Sequence, residues 1–396
     1  MVETAKRRQI VTAVCPIGDA GTTRKGASIL GNVEIARRLS AGKLGTMGAS
    51  SQGKGAKEAT KGAKESSEAK EAGAQSATQL CVTGVDAAAR KRIGRRIRRG
   101  EMISPYRGIY AEAAYWNQLN PKQRTLHILE ALSRRHLNWV YAGLSAAAAM
   151  NLEYTWTLLK DDAVYVVSGP GRQAHTRAQT TPVFVSSDRF CTVRYVLGET
   201  TVSVLTTTPA RTLVDCALRY PFRVVLGMFD SALRRRLTDA DAIIDECDRV
   251  RADCGPVFRL LHYADARSEN GGESLCRATL IDSGFAVPEL QREFTDPDNA
   301  WHSRRVDFVW HTDDGRTIVL EYDGMRKYVD PSMTKRRDIQ QVVSDEKTRD
   351  DMLLRAGVTT VVHATYDDVV TPGALWSKLM DARVPRTDAI PFYEHE

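Results

Sequence analysis

No run of about 18 consecutive apolar residues occurs in this chain of 396 residues, so a membrane-spanning helix of ordinary length is not expected. Cysteine is present without organisation. The seven (Cys15, Cys81, Cys191, Cys216, Cys247, Cys254, Cys276) are odd in number and scattered, with no C-x-x-C pair and no Cys/His cluster at zinc spacing. Neither a disulfide framework nor a structural zinc is indicated, and reduced thiols in cytosol are expected. The opening "MVETAKRRQIVTAVCPIGDAG" has too short an apolar segment, and no clear small-residue cleavage site, for a signal peptide. Soluble, cytoplasmic protein with no membrane partner follows as the expectation. Large apolar side chains are almost missing from "GASSQGKGAKEATKGAKESSEAKEAGAQSA". Such a segment cannot bury enough surface to offset its ordering entropy, so residues 1–79 are predicted to be a disordered arm. An over-extended start or a simple tether is favoured over an electrostatic arm for DNA.

What remains is rich enough to fold. A hydrophobic content of 42% over this length allows two or three domains with cores of their own. The net charge of +7 suits a polyanion-binding protein but is also ordinary, so its placement decides. It is concentrated after Val85: "DAAARKRIGRRIRRGEMISPYRGIYA" predicts a helix from Asp86 to Arg99, a stop at Gly100 and a two-stranded element around Pro105 and Gly108. Arg90, Lys91, Arg92, Arg95, Arg96, Arg98 and Arg99 crowd that helix, while Ile93 and Ile97 can anchor its other side. A basic helix followed by a β-wing is the layout of a winged helix-turn-helix; the competing reading is a solvated charged helix.

Two helical patterns follow in "QRTLHILEALSRRHLNWVYAGLSAAAAMNL", then a β-rich run of "AVYVVSG", "TPVFVSS", "CTVRYVLG" and "TVSVLTT". In "TTPARTLVDCALRY", Thr208 is set to cap a helix with Pro209 at its first position. Arg211 and Asp215, four apart, should pair with each other and carry no catalysis. The landmarks "RRIRRGEMISPYRGIYA", "VYAGLSAAAAMNL" and "TTPARTLVDCALRYP" together resemble AbiEi-type antitoxins over roughly residues 84–240. In that family the N-terminal part is a winged helix that binds DNA and represses its own operon. The resemblance implies DNA contacts from Arg95, Arg96, Arg98 and Arg99, with Arg107 in the wing, and a cognate toxin as partner.

The C-terminal third poses a different question. In "SRRVDFVWHTDDGRTIVLEYDG" two β-rich runs flank Asp313-Asp314-Gly315, a hairpin signal. A three-residue loop makes cross-strand partners sum to 628 and sets Asp307 opposite Glu321; the period of two adds Asp323 to the same face. Carboxylates this close repel or share protons, and a divalent cation relieves them. Mg2+ (or Mn2+) held by Asp307, Glu321 and Asp323 is therefore expected, for metal-assisted phosphodiester chemistry. A fourth acid, Glu273, opens the helix "ESLCRATLIDSGF", where the alternatives are a salt bridge to Arg277 or a first-turn acid favoured by the helix dipole.

Helix with Glu, hairpin with Asp, then Glu-x-acid resembles the PD-(D/E)XK nuclease fold, most closely the branch related to very-short-patch repair endonucleases, over about residues 268–370. There the E-x-D-G motif precedes a basic or histidine position and a helix with an E-K-x-R or D-x-x-R pattern; "EYDGMRKY" and "EKTRDDMLLRAGVTTVV" stand in those places. The lysine of the wider superfamily's third motif is replaced by Asp323, which leaves Lys327 as the candidate cation. Lys347 and Arg349 are candidate phosphate contacts, or pair with acids such as Asp351; His363 reads as structural. The expectation is thus an α/β (α+β overall) protein: the arm, a winged helix with following helices at 80–150, a mixed α/β middle region at 151–250 and an endonuclease-like domain at 262–385. The expected partner is DNA, with an RNA-acting nuclease not separable by sequence, and the rival reading is a non-enzymatic DNA-binding antitoxin or repressor.

Overall fold

A computed structural model describes residues 12–14, 80–155, 158–159, 163–168, 180–184, 189–323 and 339–387, and all of them belong to one compact unit. The class is α/β, as expected. Of the N-terminal arm only the strand β1 (Thr12–Val14) is described before Leu80, and it pairs antiparallel with residues 192–194. Three residues of the predicted arm therefore form a sheet edge. The basic segment follows: β2 (Val82–Thr83), α1 (Ala87–Arg98), β3 (Met102–Tyr106) and β4 (Ile109–Glu112). Asp86 caps α1 by accepting from the Ala89 amide at 2.7 Å, and Gly100 ends it in the left-handed region at φ 75°. Strands β3 and β4 pair as the expected two-stranded element, with β2 added beside β4. Among the described residues a single helix precedes that hairpin.

Helices α2 (Ala113–Trp116) and α3 (Pro121–Arg135) lead to β5 (Val140–Tyr141) and the alanine-rich α4 (Gly143–Ala149), which is buried along its whole length. Strands β6 (Val164–Ser168), β7 (Thr180–Phe184), β8 (Phe190–Leu197) and β9 (Thr200–Thr207) complete a sheet ordered β1-β8-β9-β5-β6-β7. Its tyrosines fix it to α3: Tyr195 and Tyr141 donate to the carbonyls of Leu126 and Leu129 at 3.0 and 3.2 Å. Helix α5 (Pro209–Ala217) starts as the sequence dictates, with Thr208 accepting from the Arg211 amide, and the Arg211–Asp215 pair forms at 2.9 Å. Helices α6 (Phe222–Arg234), α7 (Ala240–Cys247) and α8 (Gly255–Tyr263) follow.

The last part runs α9 (Gly271–Asp282), β10 (Glu289–Asp296), β11 (Asn299–His311), β12 (Thr317–Asp323), α10 (Ile339–Arg355), β13 (Thr360–Thr365), α11 (Tyr366–Val370) and α12 (Ala374–Asp381). Its sheet is ordered β10-β11-β12-β13, antiparallel except for the parallel β12/β13 pair. The middle and last parts share one hydrophobic core, which runs from Cys81 to Val384, so the boundary drawn near 250–262 does not separate two cores. The junction is α6 on α9. There Asp230 receives both Nη2 contacts of Arg277 at 2.7 Å, with both side chains almost fully buried. A Cβ at Gly227 would lie 2.9 Å from the Glu153 carbonyl, so only glycine lets α6 approach this closely. A smaller cluster, Val306, Val309, Val319, Met352, Leu353 and Val358, packs α10 onto the β10–β13 sheet. The six described cysteines are all free and buried.

Candidate active site

The hairpin register is the one the turn dictates: Phe308, Val309, Trp310 and His311 face Leu320, Val319, Ile318 and Thr317, each pair summing to 628. Asp307 and Glu321 are next along the two strands. Alternation directs Phe308, Trp310, Ile318 and Leu320 into the main core, while Val309 and Val319 face α10. That second set has the parity of Glu321 and Asp323, and β13 adds His363 directly beside Glu321.

The acids are held one by one. Asp307 accepts the Tyr322 amide on one oxygen at 2.9 Å and the Gln291 Nε2 on the other at 3.2 Å. Glu273 lies on the first turn of α9, where Asn270 caps the helix. It accepts from the Glu269 amide at 2.8 Å, from Asn270 Nδ2 and from Gln291 Nε2 at 3.1 Å. Its expected partner Arg277 is taken by Asp230 instead, because Arg277 lies on the α6 side of α9. Among the described residues, Glu321 Oε1 is buried with no hydrogen-bond partner, and it stands 3.9 Å from Arg304 Nε. Asp323 stands 3.7 Å from His363 Nδ1, and His363 Nε2 reaches Asp350 of α10 at 3.1 Å.

Burial gives these acids unusual proton affinity. Loss of water raises Glu321 to about 7, with the nearby Asp307 charge adding to the effect and Arg304 and His363 opposing it. Glu273 also rises to about 7 through burial, against the pull of the Glu269 amide and with Asp307 adding repulsion. Asp307 itself is raised by burial. An all-carboxylate set with an orphaned buried oxygen is the donor chemistry a hard divalent cation takes. Yet among the described residues no three acid, His or Cys side chains converge enough to hold a metal. N–H donors also occupy both oxygens of Asp307 and of Glu273.

Of the other sequence-derived candidates, Lys327 and Gly324 lie outside the described residues. Lys347 and Arg349 are exposed on α10. On α1, a turn of 100° per residue separates the arginines into two groups. Lys91, Arg95 and Arg98 form an exposed stripe opposite the buried Ile93. Arg96 instead binds Glu112 at 2.9 Å and Glu101 at 3.0 Å, clamping helix to wing, and Arg99 is held by Glu101 at 2.7 Å. Arg107 is exposed at the wing turn, where its carbonyl accepts from Arg135.

Sequence reasoning missed Gln291, Arg304, Asp350 and the Tyr322 amide. Gln291 was detectable only through the β10/β11 register, which places it opposite Asp307 but shifts by a bulge between Thr295 and Asp296. Its backbone is left-handed, φ 56°, in mid-strand.

No family model matches the chain, and no solved structure matches it. Among curated proteins it is similar to two from Mycobacterium tuberculosis, of strains CDC 1551 / Oshkosh and ATCC 25618 / H37Rv, both named only as uncharacterized. Each is 32% identical over 178 residues, 44% of this chain and 60% of the relative. The chain thus spans about three fifths of the length of the curated relatives it matches, and their names carry no activity over to it.

Proposed function

We propose that this protein binds DNA through the Lys91/Arg95/Arg98 stripe and hydrolyses nucleic-acid phosphodiesters at the Asp307/Glu321 site with Mg2+ (or Mn2+). The observation that carries the proposal is Glu321 Oε1, which beside Asp307 is buried without a hydrogen-bond partner among the described residues. A buried carboxylate oxygen left open is costly unless something else binds it. Support also comes from the order of elements: a helix with Glu273, a hairpin with Asp307 and Glu321, and then α10, the order on which the nuclease resemblance rests. Asp307 and Glu321 would hold the cation with Asp323 completing the set; when bound, it supplies an activated water and neutralises phosphate charge. Arg304 contributes positive charge beside the acids, and His363, between Asp323 and Asp350, orients Asp323. Glu273 shares a proton or a donor with Asp307 across Gln291.

A second reading has its own support. Both Asp307 oxygens already hold N–H donors, and an acid stands at the superfamily's lysine position, as in a domain kept as scaffold. The protein is then a non-catalytic DNA-binding repressor, an antitoxin with a cognate toxin. The full chain, incubated with plasmid DNA and with single-stranded RNA in Mg2+, Mn2+ or EDTA, separates the two. Cleavage that needs the cation and disappears in Asp307→Asn supports the enzyme and shows which nucleic acid it takes. Intact substrates under every condition, with DNA still bound, support the repressor.

A further inference from the structure

We propose that Arg135, the last residue of α3, is a phosphate contact that extends the DNA-binding surface from α1 to the turn between β3 and β4. The inference rests on the DNA reading above and goes beyond it by adding a residue from outside the basic helix and its hairpin.

The turn is held from two sides. Tyr106 pairs with Ile109, which leaves Arg107-Gly108 as a two-residue connection, and Gly108 takes a φ of 74° that favours glycine. Ser104 Oγ lies 3.1 Å from the carbonyls of both Tyr106 and Ile109. From α3, Arg135 Nη1 donates to the Arg107 carbonyl at 3.1 Å, and a Cβ at Gly108 would lie 3.2 Å from that same nitrogen. The guanidinium is thus seated on the turn, beside the exposed Arg107.

What Arg135 lacks is an acid. Its neighbour Arg134 is held by Glu130 at 2.7 Å, and Arg96 and Arg99 share Glu101, whereas among the described residues no carboxylate pairs with Arg135. Its charge is left for something else. A guanidinium carries five N–H donors in a planar fork, and the Arg107 carbonyl takes one of them. The others suit the oxygens of a phosphate, which such a fork can bind in pairs. Arg96 on Glu112 at 2.9 Å also fixes the hairpin to α1. The Lys91/Arg95/Arg98 stripe and Arg135 are therefore tied to one hairpin, and cations held in place lose little freedom when phosphates arrive.

The test measures binding of the full chain to a short random-sequence DNA duplex by fluorescence anisotropy over a range of KCl concentrations, in EDTA so that the DNA stays whole. Arg135→Gln keeps an N–H donor for the turn but removes the charge, and should lower the slope of log K against log salt by about one. Arg135→Lys should hold the slope near wild type. Arg134→Gln should leave it unchanged, because Glu130 already takes that charge. A wild-type slope in Arg135→Gln would overturn the inference and leave DNA binding by the α1 stripe standing. Weaker binding at an unchanged slope would do the same, making Arg135 a brace for the turn and no more. Equal slope losses in Arg134→Gln and Arg135→Gln would also overturn it, by reducing the effect to net charge. If wild type binds no duplex, the DNA reading fails and the inference with it.

Discussion

Glu321→Gln isolates one charge in the acid site while keeping size and hydrogen-bonding capacity. In the folded protein burial and Asp307 lift Glu321 from its ordinary 4.5 to about 7. At ~1.4 kcal/mol per pH unit, a lift from 4.5 to about 7 corresponds to ~3.5 kcal/mol; partial solvation brings the expected size to about 2 kcal/mol. The sign follows from linkage. A raised folded pKa means that the folded state holds the proton more tightly, so this stabilisation is full below 4.5 and is lost as pH rises through 7. The variant cannot titrate there. In EDTA it should match wild type near pH 4 and exceed it by about 2 kcal/mol at pH 8. The lost attraction to Arg304 is small, because 3.9 Å without a hydrogen bond is a weak pair, within ~1 kcal/mol. Urea denaturation at several pH values in EDTA reads the difference. A variant several kcal/mol less stable than wild type at pH 8 would refute the reasoning and make Glu321 the required partner of a buried base.

Arg277→Met leaves Asp230 buried without its counter-charge and should cost about 3–5 kcal/mol; a denaturation midpoint close to wild type would show that Asp230 is not held as a charge. Gly272→Ala places a Cβ 2.6 Å from Tyr322 Cε1, so the ring must move. A loss of about 1–3 kcal/mol is expected, with weaker Mg2+ binding by calorimetry because residue 322 neighbours Glu321. Arg95→Ala and Arg98→Ala should each lower the slope of log K for DNA against log salt by about one. Arg96→Ala should instead lower stability and leave the slope, since its partners are Glu101 and Glu112.

Local chemistry was readable where one residue type settles the geometry. Thr208 caps its helix as its side chain predicts, and the Asp313-Asp314-Gly315 turn gave the register of the four pairs from Phe308/Leu320 to His311/Thr317. Reading failed where an irregularity or a distant element decides. The Asp296-Pro297-Asp298-Asn299 turn alone would put Gln291 across from residue 304; the bulge beside it moves the match to Asp307. Composition could not show that Arg96 faces Glu112 and Arg95 faces outward, although helix geometry could have. Nor could local spacing reveal that Arg277 ignores Glu273, four residues away, for Asp230 on another helix. That contact joins the middle and last parts, whose large buried residues fall in one core.

The central claim is that the acid site takes a divalent cation, and crystals soaked in Mn2+ test it most directly through anomalous scattering. One strong peak is expected at about 2.1–2.2 Å from carboxylate oxygens of Asp307 and Glu321. A map with no peak there at saturating Mn2+ would contradict the claim.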